Sequence, residues 1–320
     1  MRWVCVVVVA MLGLGAPAAG AAAQVPRIGY LASNNATPAW RDAFTRGMKE
    51  LGYVENRTVI IDRRSADGEA NRLPGLAVEL VGLRPQVIVS SGSGPSLAAK
   101  NATATIPIVV AYANDPVALG LVASLARPGG NITGLSSLAT GLIGKRLELL
   151  TEAIPGLTRV GALYNPVSES NQINLQELRS AAARMGITLD LYEITRVEAI
   201  DGAVVSAATR GGGLAVLNTG LLNAHRSTIV DATARYKVPA IYFDTEFANA
   251  GGLLSYGPNV ADLHHRAALL VDKILKGAKP RDLPFEQPSN FELVINLKAA
   301  KALGVTIPQS LLVRADRLIE

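Results

Sequence analysis

The chain has 320 residues, more than a single hydrophobic core usually supports, so we expect two lobes. Its 31 basic and 26 acidic side chains leave a formal net charge of only +5, and the basic residues are spread along the chain, which argues against nucleic-acid binding. The single cysteine, Cys5, excludes an internal disulfide and a cysteine-based metal site.

The first residues have the pattern of a secretory signal peptide. Arg2 gives a short charged start, residues 4–14 form an apolar run, and residues 16–23 are mostly small. The apolar run is too short for a membrane-spanning helix, which needs about 20 residues, although an uncleaved membrane anchor is the alternative. We predict cleavage after Ala23. The protein that remains has no cysteine, which fits the bacterial periplasm.

Short apolar runs rich in β-branched residues then alternate with amphipathic stretches, which predicts β-α units around a parallel sheet. The first predicted helix is the best marked, because Trp40, Phe44 and Met48 recur at helical spacing and face the core. Predicted strands cover residues 27–31, 58–63, 86–90, 106–111 and a short run near 132, and predicted helices cover residues 38–51, 72–83, 96–103 and 117–125.

The pattern restarts after Ser136 with a second unit of similar size. Predicted helices cover residues 143–153, 172–185, 197–209 and 224–236, and predicted strands cover residues 160–164, 188–194, 214–218, 240–243 and 253–256. A long helix at 260–276, a strand at 291–296 and a helix at 297–303 remain. They are too small for a third domain, so we expect them to complete the two lobes.

The predicted fold class is therefore α/β, with two doubly wound parallel-sheet lobes joined by a multi-strand hinge. The first lobe is expected to comprise residues 24–136 and about 259–288. The second is expected to comprise residues 137–258 and about 289–320. Such a hinge permits the lobes to close on a ligand.

The candidate binding residues follow from the strand positions, because ligands of open parallel sheets bind beyond the carboxyl ends of the strands. The loops at these ends are small and polar in both units. The residues that we predict to contact a ligand are Ser33, Asn34, Ser91, Ser93, Asn114, Asp115, Asn165, Asn171, Thr219 and Asp244.

The loop at 91–96 is the strongest of these candidates, since its glycines let the backbone approach a ligand and its end opens a helix. For an amino-acid ligand, the helix start after Ser93 would receive the carboxylate, and Asp244 or Asp115 would bind the ammonium group. The alternative is ordinary turn and helix-capping chemistry at all three positions.

The sequence offers little support for catalysis. His264 and His265 are adjacent in a predicted helix, where neighbours point about 100° apart, so they cannot both face one metal. His225 stands apart from them. The chain also lacks a nucleotide fingerprint and a nucleophile elbow. We therefore predict no catalytic residue, no metal site and no cofactor.

Several ungapped blocks resemble the ABC transporter substrate-binding protein family of the tryptophan/tyrosine transport system type. They lie at residues 50–55, 105–109, 114–117, 121–134, 145–150 and 290–298. The resemblance implies a type I periplasmic-binding-protein fold, capture of an aromatic amino acid or related carboxylate between the lobes, and delivery to an inner-membrane permease driven by an ATPase. We expect a monomer.

Two other functions stay open at this point. One is a periplasmic sensing subunit, which would hand its ligand-bound state to a membrane receptor. The other is an exported nucleotide-dependent enzyme on the same fold. Export and the missing nucleotide fingerprint count against the enzyme.

Overall fold

A computed structural model describes residues 25–35 and 37–320, so the predicted signal peptide lies outside the described residues. The first part of the chain forms a five-stranded parallel sheet in the order β2-β1-β3-β4-β5. Its elements are β1 (Arg27–Ala32), α1 (Pro38–Glu50), β2 (Ile60–Ser65), α2 (Leu73–Gly82), β3 (Val87–Ser91), α3 (Ser93–Ala102), β4 (Ile108–Ala113) and β5 (Ile132–Ser136). We call this sheet and the helices packed on it the first lobe.

The second lobe is built on a seven-stranded sheet in the order β12-β11-β10-β9-β8-β6-β7. Its elements are α4 (Ile143–Ala153), β6 (Arg159–Tyr164), α5 (Glu169–Arg184), β7 (Thr188–Glu193), α6 (Ala199–Thr209), β8 (Gly213–Val216), α7 (Gly220–Ala224), α8 (Arg226–Arg235), β9 (Ala240–Tyr242), α9 (Thr245–Asn249) and β10 (Leu254–Pro258). The strands from β6 to β10 are parallel, β11 pairs antiparallel with β10, and β12 pairs parallel with β11.

The last part of the chain serves both lobes. Its elements are α10 (Val260–Leu275), β11 (Phe291–Asn296), α11 (Leu297–Leu303), α12 (Gln309–Leu312) and β12 (Arg317–Ile319). Helix α10 packs along α1 and against the first sheet. Glu286 then bonds to the edge of β5, donating its N–H to Gly134 and accepting from Ser136. The chain finally returns to the second sheet through β11.

The apolar face of α1 forms as predicted. Trp40, Phe44 and Met48 are buried, and the Trp40 ring stacks on His264 of α10 with their centroids 5.6 Å apart. Core packing is therefore the role of Trp40. Helix α10 begins at a capped end, where the Asn259 side chain accepts a hydrogen bond from the Asp262 N–H.

The predicted helix at 117–125 is wrong. The Asp115 carboxylate accepts hydrogen bonds from the N–H groups of Val117 and Ala118 and starts a turn. Gly120 then adopts a positive φ of 65°, which interrupts helical geometry. The regularly spaced apolar residues do not form the face of a helix. Leu119, Leu121 and Val122 belong to an irregular loop and are buried under the first sheet.

Arg146 ties two of the segments that cross between the lobes. This side chain of α4 is 7% exposed, and its Nε donates to the Tyr256 carbonyl at 2.7 Å. Its Nη1 donates to the Ala139 carbonyl at 3.3 Å. Ala139 lies in the crossing after β5, and Tyr256 lies in the strand before the crossing to α10. Both crossings are thereby fixed to the same helix of the second lobe.

Candidate functional site

A cavity of about 230 Å³ lies between the lobes, beyond the carboxyl ends of the strands of both sheets. Polar residues of its lining come from strand-end loops and the first turns of α3, α5 and α7. They are Ser33, Ser93, Asn114, Asn165, Ser168, Glu169, Ser170, Asn218 and Thr219, and Asn101 joins them from the last turn of α3. The apolar part of the wall includes Leu73, Pro74, Leu97, Ala98, Val167 and Leu221.

In the first lobe, Ser93 links two of the loops that line the cavity. Its hydroxyl accepts a hydrogen bond from the Asn114 N–H at 3.1 Å, so the loop after β4 is fixed to the start of α3. Helix α3 begins at Ser93, three residues earlier than predicted, which brings Gly94 and Leu97 into the lining. The first two residues of this helix, Ser93 and Gly94, therefore lie at the cavity with their N–H groups, whereas Pro95 has no N–H and the Ser96 N–H bonds to the Gly92 carbonyl.

Asn171 has the corresponding role in the second lobe, although its own side chain is fully buried behind the wall. Its Oδ1 accepts from the Asn165 N–H at 2.9 Å, and its Nδ2 donates to the Asn218 carbonyl at 3.0 Å. Asn165 and Asn218 both line the cavity. Asn171 therefore holds the loops after β6 and β8 together.

Replacing Asn171 with alanine is expected to lower the free energy of unfolding by about 2 kcal/mol, because two buried backbone groups each lose a hydrogen bond. Urea denaturation followed by circular dichroism would measure the change. Ser180→Ala on the exposed side of the same helix is the matched control and should stay within about 0.5 kcal/mol of the wild type. An equal effect of both substitutions would contradict the role of Asn171.

Hydrogen bonds across the cleft show that the lobes touch in this structure. The Asn218 Nδ2 donates to the Asn114 Oδ1 at 3.2 Å, and the Asn34 Nδ2 donates to the Gly220 carbonyl at 3.2 Å. At the rim, the Arg226 Nη1 donates to the Thr37 hydroxyl at 2.8 Å. Asn114 and Asn218 also line the cavity, so part of its wall exists only when the lobes are together.

The structure brings five of the ten predicted residues into the lining: Ser33, Ser93, Asn114, Asn165 and Thr219. Thr219 also caps α7 through its hydroxyl, which accepts from the Leu222 N–H. Asn34 and Asn171 lie next to the lining and form the hydrogen bonds described above. Ser91, Asp115 and Asp244 are directed elsewhere.

Ser91 faces α10 instead of the cavity. Its hydroxyl lies 2.9 Å from the His264 Nε2, and the His264 Nδ1 lies 2.8 Å from the Val260 carbonyl. The ring therefore donates from Nδ1 and accepts the Ser91 proton at Nε2. Burial lowers the pKa of His264 to about 4, so the imidazole is neutral. This serine–histidine pair joins β3 to α10.

Asp115 and Asp244 are both engaged in capping. Asp115 caps the turn after β4, as described above. The Asp244 Oδ1 accepts from the Glu246 N–H at 2.6 Å at the start of α9. Asp244 is 2% exposed, and burial raises its pKa to about 7. Since neither carboxylate belongs to the lining, the ammonium role predicted for them has no geometric support.

Several lining residues lie outside the ten predicted from the sequence. Asn218 lies two residues after β8 and satisfies the strand-end rule, but it is not among the ten predicted residues. Tyr112 supplies an aromatic ring to the lining, and its ring lies 5.4 Å from Trp40 and 5.6 Å from His264. Leu73 and Pro74 begin a helix and do not follow a strand, so no strand-end signal pointed to them.

The site is equipped for hydrogen bonding to a small molecule with an apolar part. Among the described lining residues, Glu169 is the one carboxylate, it is exposed, and no lysine, arginine or histidine accompanies it. The remaining polar groups are amides, hydroxyls and backbone atoms. The serine–histidine pair lies outside the lining, so it does not supply a nucleophile to a bound molecule.

Residues 28–319 match the sequence model of the family described as ABC transporter substrate binding protein. The chain belongs to this family. The resemblance found in the sequence blocks is thereby confirmed. Among curated relatives of this ABC transporter substrate binding protein, the Tyrosine-binding protein of Clostridioides difficile (strain R20291) is 26% identical over 265 residues, covering 83% of this chain and 76% of that protein.

Two solved structures show the same architecture. A conserved domain protein from Vibrio cholerae has a TM-score of 0.87 at 28% identity, covering 92% of this chain and 100% of that one. An ABC domain in complex with L-Trp from Streptococcus pneumoniae has a TM-score of 0.83 at 27% identity, covering 92% and 99%. The predicted fold class is confirmed. In the described part of this substrate binding protein, no helix combines the length and hydrophobicity needed to cross a membrane.

Proposed function

We propose that this chain is an exported solute-binding subunit that captures a small organic ligand between its lobes and delivers it to a membrane permease. The observation that carries the proposal is the cavity shared by the lobes, whose wall includes the Asn114–Asn218 hydrogen bond. A ligand that contacts both lobes can do so only in the closed state. Its binding therefore shifts the population toward that state. The permease would then recognise the closed form.

The proposed lobes are those predicted from the sequence, 24–136 with about 259–288 and 137–258 with about 289–320. The packing of α10 on α1 and the return of β11 to the second sheet support this division. Three segments would then form the hinge. The attachment of two of them to Arg146 supports rotation of each lobe as a unit.

The proposed ligand is an aromatic amino acid or a related carboxylate. Ser93 and Gly94 at the start of α3 would offer their N–H groups to a carboxylate, and Gly94 permits close approach. The ammonium group would face Glu169 and neutral side-chain oxygens instead of Asp115 or Asp244. Tyr112 and the apolar wall around Leu97 would contact the ligand body. The tyrosine-binding relative and the L-Trp complex support this class of ligand.

A thermal-shift titration with L-tryptophan and L-tyrosine tests the proposed ligand class, followed by calorimetry on the purified protein. Binding to the native state alone stabilises it by about 2.7 kcal/mol at a hundredfold excess over Kd, so the melting temperature should rise. Tryptamine and indole-3-propionate, which lack one charged group each, serve as controls and should bind more weakly. No response to either amino acid would contradict the proposed ligand class.

A further inference from the structure

Gly220 touches the opposite lobe without a side chain. A β-carbon placed on Gly220 would lie 2.6 Å from the Ser33 Cβ and 3.2 Å from the Ser33 Oγ. Carbon atoms in favourable contact are about 3.5–4.0 Å apart. Ser33 belongs to the loop after β1, and Gly220 is the first residue of α7, so the contact spans the cleft. Both residues line the cavity.

Neither surface can readily move away from this contact. On the first lobe, the Ser33 carbonyl accepts from the Gly68 N–H at 2.8 Å, and the next loop is held by Ser65 and Asp67. On the second lobe, Thr219 caps α7. The Asn223 Nδ2 also donates to the Asn218 Oδ1 at 3.0 Å, which fixes the loop before the helix.

The backbone conformation at residue 220 does not itself require glycine. Gly220 is absent from the positive-φ residues of the described chain and takes up a helical position. An alanine would fit there if the lobes were apart. The clash arises only when Ser33 approaches, so the constraint belongs to the closed state and not to the folding of the second lobe.

We infer that Gly220 sets how far the lobes close over the ligand, because its bare Cα is what allows α7 to seat against Ser33. The inference rests on the proposed capture by closure. A side chain at 220 would hold the cavity partly open while leaving each lobe folded. Gly220 is thus a positioning residue, which acts on the ligand through the approach of the opposite wall.

The neighbouring residues provide a direct probe of closure. A β-carbon on Gly68 would lie 3.2 Å from the Ala224 Cβ across the cleft, close to the Cβ–Cβ separation of about 3.5–4.5 Å found in disulfides. A Gly68→Cys/Ala224→Cys pair in a Cys5→Ser chain would therefore be oxidised only when the lobes meet. The positive φ of 91° at Gly68 strains the new cysteine equally in every variant compared.

The experiment measures the rate of disulfide formation in this parent pair without ligand. Gly220→Ala is expected to slow trapping about tenfold or more, as overpacking of a fixed contact does. Adding Ser33→Gly removes the carbon that clashes, and should restore trapping to within about threefold of the rate with Ser33→Gly alone. Gly202→Ala, in α6 with nothing within 4 Å, is the control and should trap like the parent.

The outcomes test the role of Gly220, the closed contact and the proposed ligand class separately. Equal trapping with Gly220 and with alanine, or failure of Ser33→Gly to rescue, would overturn the role of Gly220, since general damage to the fold is not repaired by shortening Ser33. A parent pair that never forms the disulfide would overturn the closed contact itself. L-tryptophan and L-tyrosine are then added to the parent. If neither accelerates trapping, the proposed ligand class fails while the result for Gly220 stands.

Discussion

Replacing Asp244 with asparagine is expected to raise the free energy of unfolding by about 4 kcal/mol at pH 8 and to change it little at pH 4. Burial raises the pKa of this carboxyl from 3.8 to about 7. Its Oδ1 accepts a backbone hydrogen bond, but its Oδ2 is buried with no hydrogen-bond partner among the described residues. Asparagine keeps the first bond and never has to ionise in this position.

The direction of this pH dependence follows from the pKa of Asp244 in the unfolded and in the folded protein. In the unfolded chain Asp244 loses its proton near pH 4, whereas in the folded protein it keeps the proton until about pH 7. The contribution of Asp244 to the free energy of unfolding is therefore fully present below pH 4 and is lost as the pH rises to 7. His264 acts in the opposite direction. Because its pKa is lowered to about 4 in the folded protein, its contribution to the free energy of unfolding falls as the pH drops below 6.5.

These opposing contributions overlap between about pH 4 and 6.5, so the wild type should show a nearly flat stability profile there. The Asp244→Asn variant should instead become more stable as the pH rises through this range, because only the His264 contribution remains. Urea denaturation at several pH values measures both profiles. Asp231→Asn, at an exposed position of α8, is the control and should follow the wild type. Parallel profiles for wild type and Asp244→Asn would refute the prediction.

The Gly257→Ala substitution is expected to lower the free energy of unfolding by about 3 kcal/mol or more. A β-carbon there would lie 2.1 Å from the Phe243 carbonyl oxygen, a backbone atom that cannot rotate away. Gly257 lies in β10, just before the crossing to α10, so the strand must shift to admit the methyl group. The Arg146 guanidinium, whose Nη2 is 3.5 Å from the same point, leaves no room on that side.

Thermal and urea denaturation of Gly257→Ala would give the loss of stability directly. Gly202→Ala in the same lobe is the matched control. Its β-carbon meets nothing within 4 Å and lies in a helix, so it should stabilise the protein by about 0.5–1 kcal/mol. A Gly257→Ala protein as stable as the wild type would contradict the close approach of β10 to Phe243.

The sequence predicted the layout of the fold well because alternation of apolar strands and amphipathic helices is a strong local signal. The helices at 143–153 and 297–303 and the strand at 291–296 have the predicted bounds. The helix at 117–125 failed because buried loops can also carry regularly spaced apolar residues. The short α9, α12 and β12 were missed, since their apolar patterns are too brief to be distinctive.

The candidate site was less predictable for a geometric reason. The end of a strand indicates which edge of the sheet a residue occupies, but not the face to which its side chain points. Ser91 is the last residue of β3 and faces α10, whereas Ser93 begins the next helix and lies in the cavity. The carboxylates of Asp115 and Asp244 are used by their own loops. Contact between the remaining residues and a ligand stays a prediction.

The packing of α10 on α1 also has a consequence for synthesis. A ribosome has made every strand of the first sheet by residue 136, yet the part of α1 and of this sheet that α10 covers stays open until residues 260–275 emerge. The nascent first lobe therefore cannot complete its core until most of the chain exists. A fragment that stops before Asn259 should therefore expose an apolar surface and aggregate.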